Sequence, residues 1–429
     1  MSQEHKLRWL KLDNAAKIYP AARSQRWSNV FRLSVTLKEE VDVAVLQSAL
    51  DVTVRRFPSI AGRLRRGVFW YYIQQLSQVP DLTPEHSYPL VKMSRDEVRK
   101  CAFRVIVYKK RIAVELFHSL TDGTGGLIFL KTLTAEYLSQ KHGIHIPAER
   151  GVLGRLEEPS EAELEDSFPK YSGPVSIGRQ SEDAWRVTGT PEPDGFCHVT
   201  CFRLPVKQVL QYAHDHGVSA TVFLTAVMMD AIQNLQMERV PDIRRRKHIK
   251  VQVPVNLRSL FPSQSLRNFA LYTTPSIDPR LGHYTFGELC SAVKHHMGLE
   301  VTPKFMSSMI ATNVDSEKML IVRIMPLFLK NLVMKLVFLA VGERKSCLSL
   351  SNLGQVKLPE EMKPYIDRFD FILGVQASAP YNVGVISWED TLYVNFIRNI
   401  QEPDLESHFH AVLRDMGMDV MVESNSVLR

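Results

Sequence analysis

The 429-residue chain has no G-x-S-x-G elbow, no Walker-type phosphate loop and no G-x-G-x-x-G dinucleotide fingerprint. Those gaps set aside elbow serine hydrolases, P-loop enzymes and Rossmann reductases. Cysteine is scarce: Cys101, Cys197, Cys201, Cys290 and Cys347 are scattered and never adopt C-x-x-C spacing. An odd number in so long a chain reads as reduced packing thiols in a cytoplasmic protein, without a disulfide framework or zinc site. The histidine pairs His295 and His296, His214 and His216, and His408 and His410 lack the carboxylate or cysteine company of a metal site, so no metal is expected. The first residues, Met1-Ser2-Gln3-Glu4-His5, lack the apolar core of a signal peptide. The longest apolar stretch, 319–341, is interrupted by Arg323, Pro326, Lys330 and Lys335. A continuous span would hold those charges in hydrocarbon, so the stretch reads as a buried or interfacial amphipathic helix, with core packing preferred over peripheral membrane contact.

What remains is an ordinary folded composition, 45% hydrophobic and 23% charged, long enough for two or three domains. The net charge of +7 favours anionic partners, a class that includes coenzyme A thioesters, anionic membranes and nucleic acid. The basic run Arg244-Arg245-Arg246-Lys247 sits beside Pro241 and Asp242 with no aromatic interleaving, so it reads as a solvated loop and nucleic acid is not expected.

One stretch stands out. An alternating apolar run from Ala113 to Phe117 leads into His118-Ser119-Leu120-Thr121-Asp122-Gly123, and Gly125 and Gly126 then open an amphipathic segment. This is strand, turn and helix with an ionisable pair at the turn. Of the 14 histidines, His118 alone has an aspartate four residues on. An imidazole titrates near neutral pH and suits removal of a proton from a hydroxyl or thiol attacking an acyl group, which makes His118 the candidate base. The bland alternative is a histidine that ends a strand, with Asp122 capping the next helix. Ser119 would face away from His118 on an extended strand and is the weaker nucleophile candidate.

Residues 1–150 read as an α/β lobe: a strand at 30–37, a helix at 41–57, hairpins at 60–73 and 101–117, and a helix from 124 to about 140 ended by Gly143. Residues 151–195, rich in proline, glycine, serine and acidic side chains, read as a crossover or linker. A second α/β lobe follows over 196–429, with strands near 196–204, 249–255, 346–351, 368–376, 383–388 and 392–397. Its helices lie near 206–216, 220–236, 285–298, 319–341 and 405–416.

Two further turns carry chemistry. Pro254-Val255-Asn256-Leu257-Arg258 ends a strand, and Arg258 is suited to pair bidentately with a carboxylate, Asp122 being the expected partner. Such a pair would hold the turn after His118 and deny Asp122 to the imidazole. In Ser351-Asn352-Leu353-Gly354, Asn352 either meets substrate or closes the turn, and Gly354 suggests close backbone approach.

Together these motifs resemble the coenzyme A-dependent acyltransferase superfamily that includes chloramphenicol acetyltransferase, the condensation domains of peptide synthetases and the alcohol acetyltransferases. His118 to Gly123 matches its H-x-x-x-D-G signature, 254–258 resembles its arginine-bearing turn, and 351–354 resembles the C-terminal strand motif of the alcohol-acetyltransferase and condensation branches. The segment 11–20, Lys-Leu-Asp-Asn-Ala-Ala-Lys-Ile-Tyr-Pro, resembles bacterial alcohol acetyltransferases. Phe117 stands where condensation domains usually carry a second histidine, and the D-F-G-W-G motif of the plant branch is missing.

The resemblance implies two chloramphenicol-acetyltransferase-like lobes with a tunnel between them and His118 midway. It implies a monomer acting on acyl-CoA, as co-substrate and not as a bound cofactor, with a small alcohol or amine acceptor. An acyl carrier protein is the alternative donor partner, and a non-catalytic homologue of the same fold is the alternative to an enzyme. The site expected from these readings is His118, Asp122 and the Gly123 amide as oxyanion donor, supported by Arg258, Asn256, Asn352 and Gly354.

Overall fold

The computed structural model describes residues 7–22, 29–177, 182–337, 345–375 and 379–425. Alternating and fully apolar runs become two mixed sheets, each covered by helices, as the α/β reading requires. In the first lobe the strand Val30–Leu37 lies between Arg111–Phe117 and Ile366–Ile372, and Phe103–Tyr108 and the short Thr83–Pro84 complete five strands. Val30–Leu37 buries both faces, even at Arg32, whose guanidinium meets Glu85 at 2.7 Å and Glu115 at 2.9 Å. A charge so deep is tolerable only when paired in this way.

The second lobe is an eight-stranded sheet. Its main path runs Ala270–Thr273, Ile249–Asn256, Leu348–Gln355, Tyr381–Trp388, Thr391–Arg398, His198–Pro205 and Met421–Ser424, and Ser276–Ile277 also pairs with Ile249–Asn256. Leu348–Gln355 runs parallel to both neighbours, and the other pairings are antiparallel. The helix Ala220–Arg239 packs against Asp404–Asp415 and Phe286–Glu300 over this sheet. Its apolar residues are buried nearly all round, which is why it lacks a polar face in the sequence. A small third sheet joins Trp9–Lys11, Tyr71–Gln75 and Gly62–Arg66.

Two expectations are corrected and a third is filled in. The strand expected at 368–376 in the second-lobe sheet is Ile366–Ile372, and it pairs antiparallel with Val30–Leu37 at the edge of the first-lobe sheet; residue 376 lies outside the described residues. Periodicity reports that a segment is a strand but not which edge it joins, and here the Phe369 ring, 5.5 Å from that of Trp388, fastens the two lobes. Residues 151–195, expected as a crossover or linker, are tied down where described. Arg56 forks onto Glu163 at 2.6 and 2.8 Å, Leu266 donates its backbone N–H to Glu163, and Phe168 is buried.

The second correction concerns 319–341, where core packing was the preferred expectation. Pro326 splits the stretch into helices Leu320–Ile324 and Leu327–Val337, and the apolar side chains face solvent instead of a core: Leu320, Phe328, Leu332 and Leu336 are 56–73% exposed. Residues 338–341 lie outside the described residues. The sequence reading also passed over the helix Pro303–Lys318, whose buried face of Met306, Ile310 and Val314 is narrow and broken by polar residues. Among the described residues no single helix is long and apolar enough to cross a membrane.

Candidate active site at the seam of the lobes

The first-lobe strand Arg111–Phe117 ends at the seam, where the His118 backbone N–H donates to the Asn29 carbonyl. The chain then turns through Leu120, whose N–H returns to the Phe117 carbonyl, and enters the helix Gly123–His142. Asp122 is the N-cap: its Oδ1 accepts from the Gly125 amide at 3.1 Å. Gly125 is glycine because a Cβ there would meet the Thr121 hydroxyl at 2.1 Å and the Leu266 carbonyl at 2.3 Å. Thr121 Oγ1 donates to that same carbonyl at 2.6 Å, so the second lobe is pressed against the turn.

Residues 265–269 of the second lobe form the opposite wall. Arg258 donates from Nη1 to Asp122 Oδ2 at 2.7 Å, from Nε to the Ser265 carbonyl and from Nη2 to the Arg267 carbonyl, while the Phe269 N–H donates to Asp122 Oδ2 at 2.9 Å. The Asp122–Arg258 pair expected from sequence therefore exists as one Nη1–Oδ2 contact, not a two-pronged fork, and Asp122 is both its anion and the helix cap. Asn256 supports the arrangement by accepting from the Arg258 N–H and Nη1 and by donating to the Thr124 hydroxyl across the seam.

His118 has a different neighbour. Its Nδ1 lies 3.1 Å from Asn268 Oδ1, and the Asn268 amide nitrogen donates to Asp13 Oδ2 at 3.2 Å. A carboxylate draws the NH2 of Asn268 and turns its carbonyl toward the ring. That carbonyl in turn requires a proton on Nδ1, which leaves the lone pair on Nε2. Asp13 is fully buried, caps Ala16 at 2.7 Å and lies 3.7 Å from Arg267. Burial pushes its carboxyl up, against the opposing charge of Arg267, and it helps push Asp166 up to about 6, burial there being the larger cause.

The imidazole is bracketed by aromatics, with Tyr19 stacked at 4.4 Å and Phe31 edge-on at 5.0 Å. It remains partly exposed. Burial of its surroundings pushes the His118 pKa below the ordinary imidazole range, opposed by its own backbone, the Asp122 charge and Asn268. An imidazole held neutral, with one nitrogen tethered and the other a free base, can accept a proton near neutral pH. Ser119 points away and donates to the Ala16 carbonyl.

Gly123 begins the helix beside Leu353 of the second lobe, whose Cδ2 a Cβ would meet at 2.8 Å. Asn352 closes its own turn: Oδ1 accepts from the Gly354 N–H at 2.8 Å and Nδ2 donates to the Thr221 hydroxyl. Gly354 is not a point of close approach, since a Cβ there meets nothing within 4 Å. Its φ of +72° in a register shift of the strand is what requires glycine. Asn268, Asp13 and Tyr19 were missed from sequence. The only signal was their place in the 11–20 segment and just after the arginine turn, with nothing to pair them. Among the described residues no group of three metal-ligating side chains occurs, although His408 meets Glu238 and His296 meets Glu300.

No protein-family model and no curated protein matches the sequence. Solved structures do match along nearly the whole chain. One is the F. graminearum TRI101 complexed with coenzyme A and deoxynivalenol (12% identity, 98% of this chain and 100% of that one, TM-score 0.65). Another is the TRI3 trichothecene 15-O-acetyltransferase of Fusarium sporotrichioides (11%, 97% and 96%, 0.61). A third is the first condensation domain of the CDA synthetase (14%, 96% and 95%, 0.56). At these identities the likeness is one of architecture, and the chain has the two-lobed fold shared by coenzyme A-dependent acyltransferases and condensation domains.

Proposed function

We propose that the protein transfers an acyl group from a coenzyme A thioester to the hydroxyl or amine of a small acceptor, with His118 as general base. The observation that carries this reading is the Asn268 contact to His118 Nδ1, which leaves Nε2 basic at the seam of the two lobes. Nε2 takes the acceptor proton as the acceptor oxygen or nitrogen bonds to the thioester carbon. The tetrahedral intermediate then collapses, the C–S bond breaks, and the imidazolium proton leaves with the thiolate. The Gly123 amide, at the N-terminus of a 20-residue helix, is the proposed oxyanion donor. In this scheme both substrates meet the base between the lobes, and holding them there together supplies orientation. Asp122 takes no proton in this scheme, because its oxygens are engaged by Arg258, Phe269 and Gly125.

The fold likeness to a protein complexed with coenzyme A and to a trichothecene 15-O-acetyltransferase supports the donor class, and the chain's net charge of +7 suits a polyanionic donor. Thiol release from a panel of acyl-CoA thioesters with mixed alcohols and amines tests the proposal. Release that requires acceptor and is lost in His118→Ala supports it. Release only from an acyl carrier protein would move the protein to the condensation-type reading, and no release from either donor would leave a non-catalytic homologue.

A further inference from the structure

The helix Leu327–Val337 is built inside out. Leu327 and Lys330 face the protein, and Phe328, Leu329, Leu332, Val333 and Leu336 face solvent, two of them spaced four apart and three spaced i, i+4, i+8. Met319, and Leu320 and Ile324 of the short helix after it, extend the apolar face. So does the hairpin tip at Val68 and Phe69, fastened by the Leu327 N–H to the Val68 carbonyl and by Lys330 Nζ to the Phe69 carbonyl. So large a continuous apolar surface is unusual on a protein that meets only water.

The charges within it have one sign. Residues 319–337 contain no aspartate or glutamate, and Arg323 and Lys335 are exposed among the apolar side chains. Arg66 is exposed beside the hairpin tip. The nearby Glu317 is already engaged by Lys17. Apolar side chains rimmed by cations, on short helices lying along a surface, match the chemistry of an anionic bilayer, where the apolar groups enter the acyl boundary and the cations meet headgroup phosphates. We propose that this face, helices Leu320–Ile324 and Leu327–Val337 with the Val68–Phe69 tip, docks the protein onto an anionic lipid surface. The position bears on the site: helix Leu327–Val337 packs on Ile18–Ala22, whose Tyr19 covers the His118 ring.

The test is co-sedimentation of the full chain with vesicles of phosphatidylglycerol and phosphatidylcholine, and with phosphatidylcholine alone, at low and high salt. Binding to the mixed vesicles is expected, weakened severalfold by high salt or by removing the anionic lipid. Phe328→Asp with Leu332→Asp, both at exposed positions, should weaken it at least tenfold with an unchanged thermal transition. Arg323→Glu with Lys335→Glu should erase the preference for anionic vesicles. No binding at low salt, or binding that survives the double aspartate variant, overturns the proposal. So does a stable dimer in light scattering that the same variant dissociates, since a second copy would then cover the face. His118→Ala should bind vesicles like the wild type, so loss of thiol release with intact docking concerns the transfer chemistry alone.

Discussion

His118 and Asp122 are four residues apart on one turn, and the second lobe treats them in opposite ways. Asp122 is held at both oxygens, by a backbone amide of its own helix and by a guanidinium and a backbone amide from across the seam. His118 is held at one nitrogen by an amide carbonyl that is itself oriented by a buried carboxylate. An anion with every acceptor occupied locks geometry and does no proton chemistry. A neutral ring tethered at one end is fixed in tautomer and keeps its other nitrogen as a proton acceptor. On the proposed function, the shared motif divides into a clamp and a base.

The sharpest way to break the comparison is to remove each member alone. His118→Ala should lower kcat by about 10²- to 10⁴-fold, the usual worth of a general base, with the urea midpoint unchanged, read from thiol release and circular dichroism on the same preparation. Asp122→Ala should do the reverse in emphasis. It strands the Arg258 guanidinium, only 12% exposed, and uncaps the helix Gly123–His142, so a stability loss of about 3 kcal/mol is expected in urea titration. If the two variants gave the same loss of stability, the division of labour would be wrong.

Why one half of this arrangement was legible in sequence and the other was not is a matter of range. The His118 turn announces itself because strand periodicity, the cap and the glycines are local, and each has a local cause. Arg258 could be proposed as the partner of Asp122 from its charge and its polar turn, although a solvent-facing arginine fits the same pattern. Asn268 and Asp13 lie 150 and 105 positions from His118, uncharged in one case and unremarkable in both, and only the docking of the lobes brings them together. The edge strand Ile366–Ile372 was recognised as a strand but put in the wrong sheet for the same reason. For the stretch after residue 319 the sequence favours core over an interfacial helix because hydrophobicity normally means burial, and there the usual inference fails.

Asn268 offers a finer probe of the base. With the ring's pKa pushed down by burial, the neutral form persists to lower pH, so the acid limb of kcat/KM should lie below about 6.5. Asn268→Asp places a carboxylate against Nδ1, which stabilises the imidazolium and raises that pKa. The acid limb should then move to higher pH, with a loss of about tenfold in kcat/KM on the acid side and less above it. An acid limb that stays put would mean that Asn268 does not face the titrating ring.

The smallest expected effect separates the two kinds of glycine at the seam. Gly125 has ordinary backbone geometry and no room, since the Leu266 carbonyl of the other lobe occupies the place of a side chain. Gly354 has room, with nothing within 4 Å of a Cβ, but a φ of +72°. Gly354→Ala should therefore cost only the left-handed backbone term, about 1 kcal/mol in urea titration, and leave kcat nearly unchanged because Asn352, not substrate, receives its N–H. A large loss of activity with that small loss of stability would place the 351–354 turn in contact with substrate. Asn352 would then have two duties, and the clamp would extend across to the second-lobe sheet.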